Sequence, residues 1–321
     1  MTTRKASLIF NPAAGQGDSQ QDLNTIRELL SPVFDLDIEF TKRDLKTGKI
    51  AQEVVKNGAE IVIAAGGDGT LSSVAKALIQ TDIPLGVIPR GTANAFASAL
   101  GIPDTIEKAC QTIINGKLRK LDVAKCNNKP MLLLAGVGFE AETVEGASRE
   151  TKSKWGALAY VISGIKQLNN IDSFEVEIET EEKIIRTTAT AITVANVAPA
   201  TSVLAQGPAG IICDDGFLDI TIVTSDSWTS AIAASYHLLQ TGLRGDAVTR
   251  DDIGYLRAKG VKVATEPPQK VVLDGELIGE TPIEVTCVPE GLNVFVPLIP
   301  AEELTEKIEG LPGLEVEVKP N

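Results

Sequence analysis

The period of the apolar residues changes once along the chain, near Lys120, and that change limits the folds open to it. Before it, short apolar runs alternate with segments whose apolar residues recur every three to four positions. Residues 6–10, 36–40, 60–65 (EIVIAA) and 85–88 predict strands. Leu23, Ile26 and Leu30, then residues 48–57, then Leu71, Val74, Ala75 and Leu78 predict helices, the first capped by Asp18 or Ser19. Such alternation predicts a parallel sheet covered on both faces. After Lys120, β-branched segments dominate: 174–180, 183–196, 217–224, 260–264, 282–288 and 292–296. In FEVEIET, Glu175, Glu177 and Glu179 alternate with apolar residues, the signature of a half-buried strand. Two helical segments interrupt this half, at 155–168 and 228–240, the second capped by Asp226 or Ser227. The expected architecture is α/β plus β. A parallel-sheet α/β domain spans 1–120, and an antiparallel β-sandwich spans 121–297. A charged tail, 298–321, frays or docks as a short helix, packing back on the N-terminal domain.

A length of 321 residues fits two domains, each able to bury a core. The 4% aromatic content and net charge of −13 disfavour a nucleic-acid partner. The same acidity disfavours loose adsorption to an anionic membrane. Cys110, Cys126, Cys213 and Cys287 form no C-x-x-C pair and no metal-like spacing to His237, so they are expected as reduced thiols. His237 sits in an apolar helical stretch and is expected to be structural. The N-terminal MTTRKASLIFNP lacks the apolar core of a signal peptide, and no apolar run is long enough to span a bilayer.

The strongest local signal is Ala64-Ala65-Gly66-Gly67-Asp68-Gly69-Thr70-Leu71, a glycine turn between a buried strand and a helix. Glycines let a ligand approach the backbone, and the helix offers its positive end to an anion. Neither a Walker A loop nor a dinucleotide fingerprint is present there. Gly136-Val137-Gly138-Phe139-Glu140-Ala141 fits G-x-G-x-x-A but lies outside any βαβ unit. Asp68 would repel a bare triphosphate, so a carboxylate in this turn points to an intervening cation, magnesium. Asn11, Pro12, Ala13, Ala14 and Gly15 form a second turn at a strand end, and Pro89-Arg90-Gly91-Thr92-Ala93-Asn94 a third. Turns at the carboxyl ends of one sheet's strands can converge on one nucleotide. Asp274-Gly275-Glu276 and Asp214-Asp215-Gly216 read, by themselves, as turns between strands.

These motifs, in this order, resemble the diacylglycerol-kinase-like bacterial lipid kinases, with sphingosine kinases as more distant relatives. The resemblance rests on Asn11-Pro12 with Gly15, Gly66-Gly67-Asp68-Gly69-Thr70 and Pro89-x-Gly91-Thr92-x-Asn94. It continues through Gly138-Phe139, Asp214-Asp215-Gly216-Phe217-Leu218-Asp219 and Asp274-Gly275-Glu276. NAD kinases use a similar GGDGT loop, but the later elements favour the lipid-kinase branch. The resemblance implies an N-terminal nucleotide-binding domain, a C-terminal β-sandwich and an active site between them. It implies that Asn11, Pro12, Ala13, Ala14, Gly15 and Thr41 contact ATP. Gly67, Asp68, Gly69, Thr70, Leu71, Ser72 and Ser73 would cradle its phosphates, with Thr92 adding a hydroxyl. Asp215, with the carbonyls of Ile212 and Phe217, would hold a structural magnesium ion. Asp68 and Asp122 would join a water-linked magnesium network. Glu276 would be the catalytic base, with Asp274 the other candidate carboxylate. Two departures stand out: Ala95 replaces an Asp common after Asn94, and Glu140 replaces an Asp after Phe139.

The implied reaction is transfer of the γ-phosphate of ATP to a hydroxyl of a membrane lipid, diacylglycerol-like, by a cytoplasmic protein peripheral at the inner membrane surface. Residues 157–168, with Lys152, Lys154 and Lys166, would graze the interface or form an ordinary core helix. Exposed sandwich edges would allow a homodimer. A kinase of the NAD-kinase type and a non-catalytic nucleotide- or lipid-binding regulator are the competing readings, the second motivated by Ala95.

Overall fold

The computed structural model describes residues 4–15, 17–42, 46–138, 173–198, 211–224, 233–234, 237 and 250–298, and the backbone of 315–318. The interface segment expected at 157–168 and most of the helix expected at 228–240 lie outside the described residues. The chain divides into two compact units, 1–122 with 289–300, and 123–288 with 301–321.

In the first unit, β1 (Arg4–Phe10), β2 (Phe34–Phe40), β3 (Ile61–Gly66) and β4 (Leu85–Pro89) alternate with α1 (Ser19–Leu30), α2 (Thr47–Lys56) and α3 (Asp68–Leu78). Two further helices follow, α4 (Ala95–Ala99) and α5 (Ile106–Asn115). The strands run parallel in the order β4, β3, β1, β2. Every residue of β3 and β4 is buried, as a strand covered on both faces requires. Each fully buried Ile, Leu or Val side chain there contributes about 1.5–3 kcal/mol. Asp18 caps α1 by accepting from the Gln20 and Gln21 amides, and α1 turns Leu23, Ile26 and Leu30 inward.

The second unit begins within β5 (Lys117–Cys126) and continues through β6 (Lys129–Met131), β7 (Leu134–Gly138), β8 (Phe174–Thr180), β9 (Lys183–Ala189) and β10 (Ala191–Ala195). Then come β11 (Leu218–Val223), β12 (Ile253–Ala258), β13 (Gly260–Glu266), β14 (Lys270–Leu273), β15 (Glu276–Glu280), β16 (Ile283–Val296) and β17 (Glu315–Val318). One antiparallel sheet has the order β12-β11-β10-β7-β14-β15. The other antiparallel set runs β17-β9-β8-β13 and on to the first residues of β16. Alternate residues of both, such as Val176, Ile178, Ile192, Ile220, Leu256 and Val263, form one buried core. The α/β plus antiparallel sandwich architecture is therefore present.

Three sequence readings change. Residues 183–196, read as one segment, are two strands in different sheets, because the chain crosses at Thr190, whose amide donates to the Val223 carbonyl. Residues 282–288 and 292–296, read as two, are the single strand β16, which passes through Pro289 and a positive-φ Glu290. Its last residues re-enter the first unit, where Val294 pairs in parallel with Leu85. Within the tail, Glu315–Val318 is not a short helix. It is a strand antiparallel to β9, in the second unit, because its Glu-Val-Glu-Val alternation carries period two.

Candidate functional site

The three strand-end turns of the first unit meet. After β1, the Asn11 amide donates to the Ala65 carbonyl (2.9 Å), and Asn11 Oδ1 accepts from the Ala13 amide (3.0 Å), closing a turn over Pro12. Asn11 Nδ2 donates to Thr70 Oγ1 at 2.9 Å, which ties the first turn to the second. The third turn is tied to both by Arg90. Its amide donates to the Gly66 carbonyl at 2.8 Å, and its Nη1 to the Asn11 carbonyl at 2.6 Å. Arg90 Nε and Nη2 both reach Asp22 Oδ2, at 2.9 and 2.7 Å, and the guanidinium stacks 4.3 Å from the Phe10 ring centroid. With 2% of its side chain exposed, Arg90 is framework of the site rather than surface charge. The second and third turns touch through their backbones. A Cβ on Gly91 would stand 2.7 Å from Gly67 Cα, so only glycine fits there. Asn94, at φ 49°, closes the third turn by accepting from the Gly91 amide (2.8 Å) and donating to the Gly91 carbonyl (3.0 Å).

Helix α3 starts at this junction. Its N-cap is Gly67, with no side-chain cap, and a Cβ on Gly69 would meet nothing within 4 Å. Its first turn therefore presents open amides and a positive dipole end, an anion-binding arrangement. Asp68 Oδ1 is buried there with no hydrogen-bond partner. A buried carboxylate oxygen left so costs free energy unless a cation or ordered water meets it. This orphaned oxygen fits magnesium carried on nucleotide phosphates, since magnesium favours one or two carboxylates plus phosphate oxygens. A cavity of about 440 Å³ runs beside the turns, lined by Gly15, Asp22, Arg90, Gly91, Thr92 and Asn94 among others. Thr92 is exposed in it, while Pro12 and Ala13 are exposed on the first turn. The Thr41 amide donates to the Phe10 carbonyl at 2.9 Å, at the next strand end. Leu71 is fully buried, so only its backbone can serve a ligand, and Ser73 Oγ already donates to the Gly69 carbonyl at 2.7 Å; Ser72 is half-buried. Asp122 is 3% exposed, and its Oδ1 accepts from the Glu290 amide at 2.9 Å, bracing the returning strand.

In the second unit, Asp274 and Gly275 form the two-residue turn joining β14 to β15, with positive φ at both (49° and 85°). That is the tight hairpin geometry an Asp-Gly pair favours. The Asp274 carboxylate accepts from the amides of Leu132 (3.1 Å), Leu133 (2.8 Å) and Leu134 (3.2 Å). Its oxygens accept from the chain, whereas the Glu276 side chain is exposed and makes no hydrogen bond or ion pair among the described residues. The Asp215 turn is held from β12: Asp215 Oδ1 accepts from the Phe217 amide at 3.1 Å, and Oδ2 pairs with Arg257. Ile212 and Phe217 flank it, half-buried. Next to it Asp219, 1% exposed, accepts from the Tyr255 hydroxyl. Burial pushes its carboxyl up to about 7, against the pull of Tyr255 and Arg257.

The remaining sequence candidates are inert. Burial pushes the Cys110 thiol up to about 12 and Cys126 to about 11, and all four cysteines are buried. The decoy glycines lie in β7, inside an antiparallel sheet, where a Cβ on Gly138 would strike the Thr190 carbonyl at 2.5 Å. Sequence reasoning missed Arg90 and Asp22 as site framework. They are 68 positions apart, and no local pattern links them.

Comparison with known proteins agrees with this layout. The family model described as diacylglycerol kinase catalytic domain matches residues 5–126. That described as YegS C-terminal NAD kinase beta sandwich-like domain matches 134–296. The chain is 46% identical over 307 residues to an uncharacterized protein of Synechocystis, covering 92% of this chain and 71% of that one. It is 30% identical over 309 residues to the diacylglycerol kinase of Bacillus subtilis, covering 94% and 100%. The crystal structure of a diacylglycerol kinase from Bacillus anthracis superposes with a TM-score of 0.72 at 27% identity, covering 91% of this chain and 97% of that one. With both halves matched in order and a full-length relative at 30% identity, the chain belongs to the diacylglycerol-kinase-like family of lipid kinases.

Proposed function

We propose that the protein transfers the γ-phosphate of ATP to a hydroxyl of a membrane lipid, diacylglycerol-like, with Glu276 as general base. The observation that carries this is the buried, unpartnered Asp68 Oδ1 at the uncapped start of α3, beside turns locked together by Asn11 and Arg90. Amides of Gly67 to Gly69 would bind the phosphate oxygens, the Thr70 amide being taken by the Gly67 carbonyl, and Thr92 and the Asn11 to Gly15 turn would orient the rest of the nucleotide. Asp68 would hold magnesium, which when bound supplies charge neutralisation of the phosphates. Glu276 would take the proton of the acceptor hydroxyl as it attacks, a role that suits an exposed carboxylate without competing partners. Asp274 would position the hairpin rather than act as base. Among the described residues no helix is long and apolar enough to cross a membrane. We read the protein as cytoplasmic and as meeting its lipid transiently at the inner membrane surface. Pairing through β15 is disfavoured by Glu276, Glu280 and the bulge at Val271/Val272 on that edge.

The test is transfer of labelled γ-phosphate to a host lipid extract and, in parallel, to NAD. The expected product is a phosphorylated lipid. Glu276→Gln should lose about 10²–10⁴-fold in kcat with ATP affinity retained. Label on NAD alone would support the soluble-substrate reading, and label on neither the non-catalytic one. A Glu276→Gln enzyme as fast as wild type removes Glu276 as base.

A further inference from the structure

The family resemblance puts a structural divalent ion at Asp215, yet the groups around Asp215 do not suit one. Each carboxylate oxygen already meets a donor, Oδ1 the Phe217 amide at 3.1 Å and Oδ2 the Arg257 guanidinium, whose positive charge stands where a cation would approach. Arg257 projects from β12 directly opposite Asp219 of β11, and its Nε lies 3.4 Å from Asp219 Oδ1. Its guanidinium carbon is 5.0 Å from the centroid of the Phe217 ring, and Lys259 Nζ is 5.8 Å from the same ring.

We infer that Arg257 is the built-in cation of this turn, standing where a divalent ion would otherwise cross-link residues 212–217. A guanidinium is permanently charged, planar and able to serve two carboxylates at once. Here it pairs with Asp215 through Nη2, sets its Nε beside Asp219 without a hydrogen bond, and stacks on Phe217, so it ties turn, strand and ring. Magnesium would need six oxygens in near-octahedral array. It would also have to displace the guanidinium or sit beside it, and like charges at that range repel strongly in a partly buried site. The 212–217 turn therefore needs no divalent ion to hold its shape.

Full-length protein is stripped with chelator, and its thermal midpoint and its uptake of manganese, as a magnesium probe, are measured without nucleotide. Wild type and Asp215→Asn should take up the same amount of manganese, and millimolar magnesium should move the wild-type midpoint by no more than it moves that of Asp215→Asn. Arg257→Met leaves two carboxylates facing each other. It should unfold at a lower temperature in chelator and recover part of the loss with magnesium, a recovery absent when Asp215→Asn is added. Manganese uptake by wild type that Asp215→Asn abolishes would overturn the inference. So would a wild-type midpoint that falls in chelator and is restored by magnesium only when Asp215 is present. The wild-type and Asp215→Asn comparison decides even if Arg257→Met does not fold.

Discussion

Two carboxylates two positions apart, Asp274 and Glu276, differ in everything that matters to chemistry. Asp274 accepts three backbone amides from residues 132–134, so its charge is spent on joining β14 to the start of β7. Glu276 stands exposed on β15. Sequence alone left both open as base, since a turn motif says nothing of what a carboxylate meets 140 residues away. The contrast is measurable by calorimetry. Asp274→Ala strands amides of the 132–134 segment and should cost about 2–4 kcal/mol, seen as a lower unfolding midpoint. Glu276→Gln should leave the midpoint unchanged within about 0.5 kcal/mol, as an exposed substitution does. Equal stability losses would mean that Glu276, too, is framework.

At the scale of elements, the first half was legible because each strand and helix declares itself by period. The residues on one face of the third helix, Leu71, Val74, Ala75 and Leu78, are buried in α3, together with Thr70. The GGDGT turn was legible as an anion site because its glycines fall between a buried strand and a helix start. What locks the three turns together was not, since Asn11 to Thr70 and Arg90 to Asp22 are contacts across 59 and 68 residues. Strand bounds in the second half were hidden for a related reason: the β-branched run continues unbroken across the sheet crossing at Thr190, and Pro289 reads as a break although β16 passes through it. The turn junction predicts a pair of unlike glycine effects. Gly91→Ala places a Cβ against Gly67 Cα and should push the second and third turns apart, lowering Mg-ATP affinity at least about tenfold with a loss of stability. Gly69→Ala faces open space, so the free protein should be as stable or slightly more so, by up to about 1 kcal/mol. Its methyl group would nonetheless stand where phosphates approach the helix and should weaken Mg-ATP binding. Calorimetric titration of both variants, beside their unfolding curves, separates a framework glycine from a ligand-facing one.

For the whole molecule, pH sets stability through two effects of the same sign. The chain carries a net charge of −13 at neutral pH and a sequence pI near 4.7, so lowering pH relieves self-repulsion. Asp219 adds a local contribution. Its folded pKa is raised from 3.8 to about 7 because burial outweighs the Tyr255 and Arg257 contacts. A raised acid favours the protonated folded state, so this contribution is present in full below about pH 4 and is lost as pH rises towards 7. Within that window the slope approaches about 1.4 kcal/mol per pH unit for one such group. Asp219→Asn keeps the hydrogen-bonding shape without the charge and abolishes the titration. Its stability relative to wild type should therefore climb between pH 4 and 7 and level off above, while the charge-repulsion trend persists in both proteins. Denaturant unfolding of the pair at matched ionic strength isolates the difference. Parallel stability curves for the two proteins across that range would show that Asp219 is ionised in the fold at all these pH values, stabilised there by Arg257.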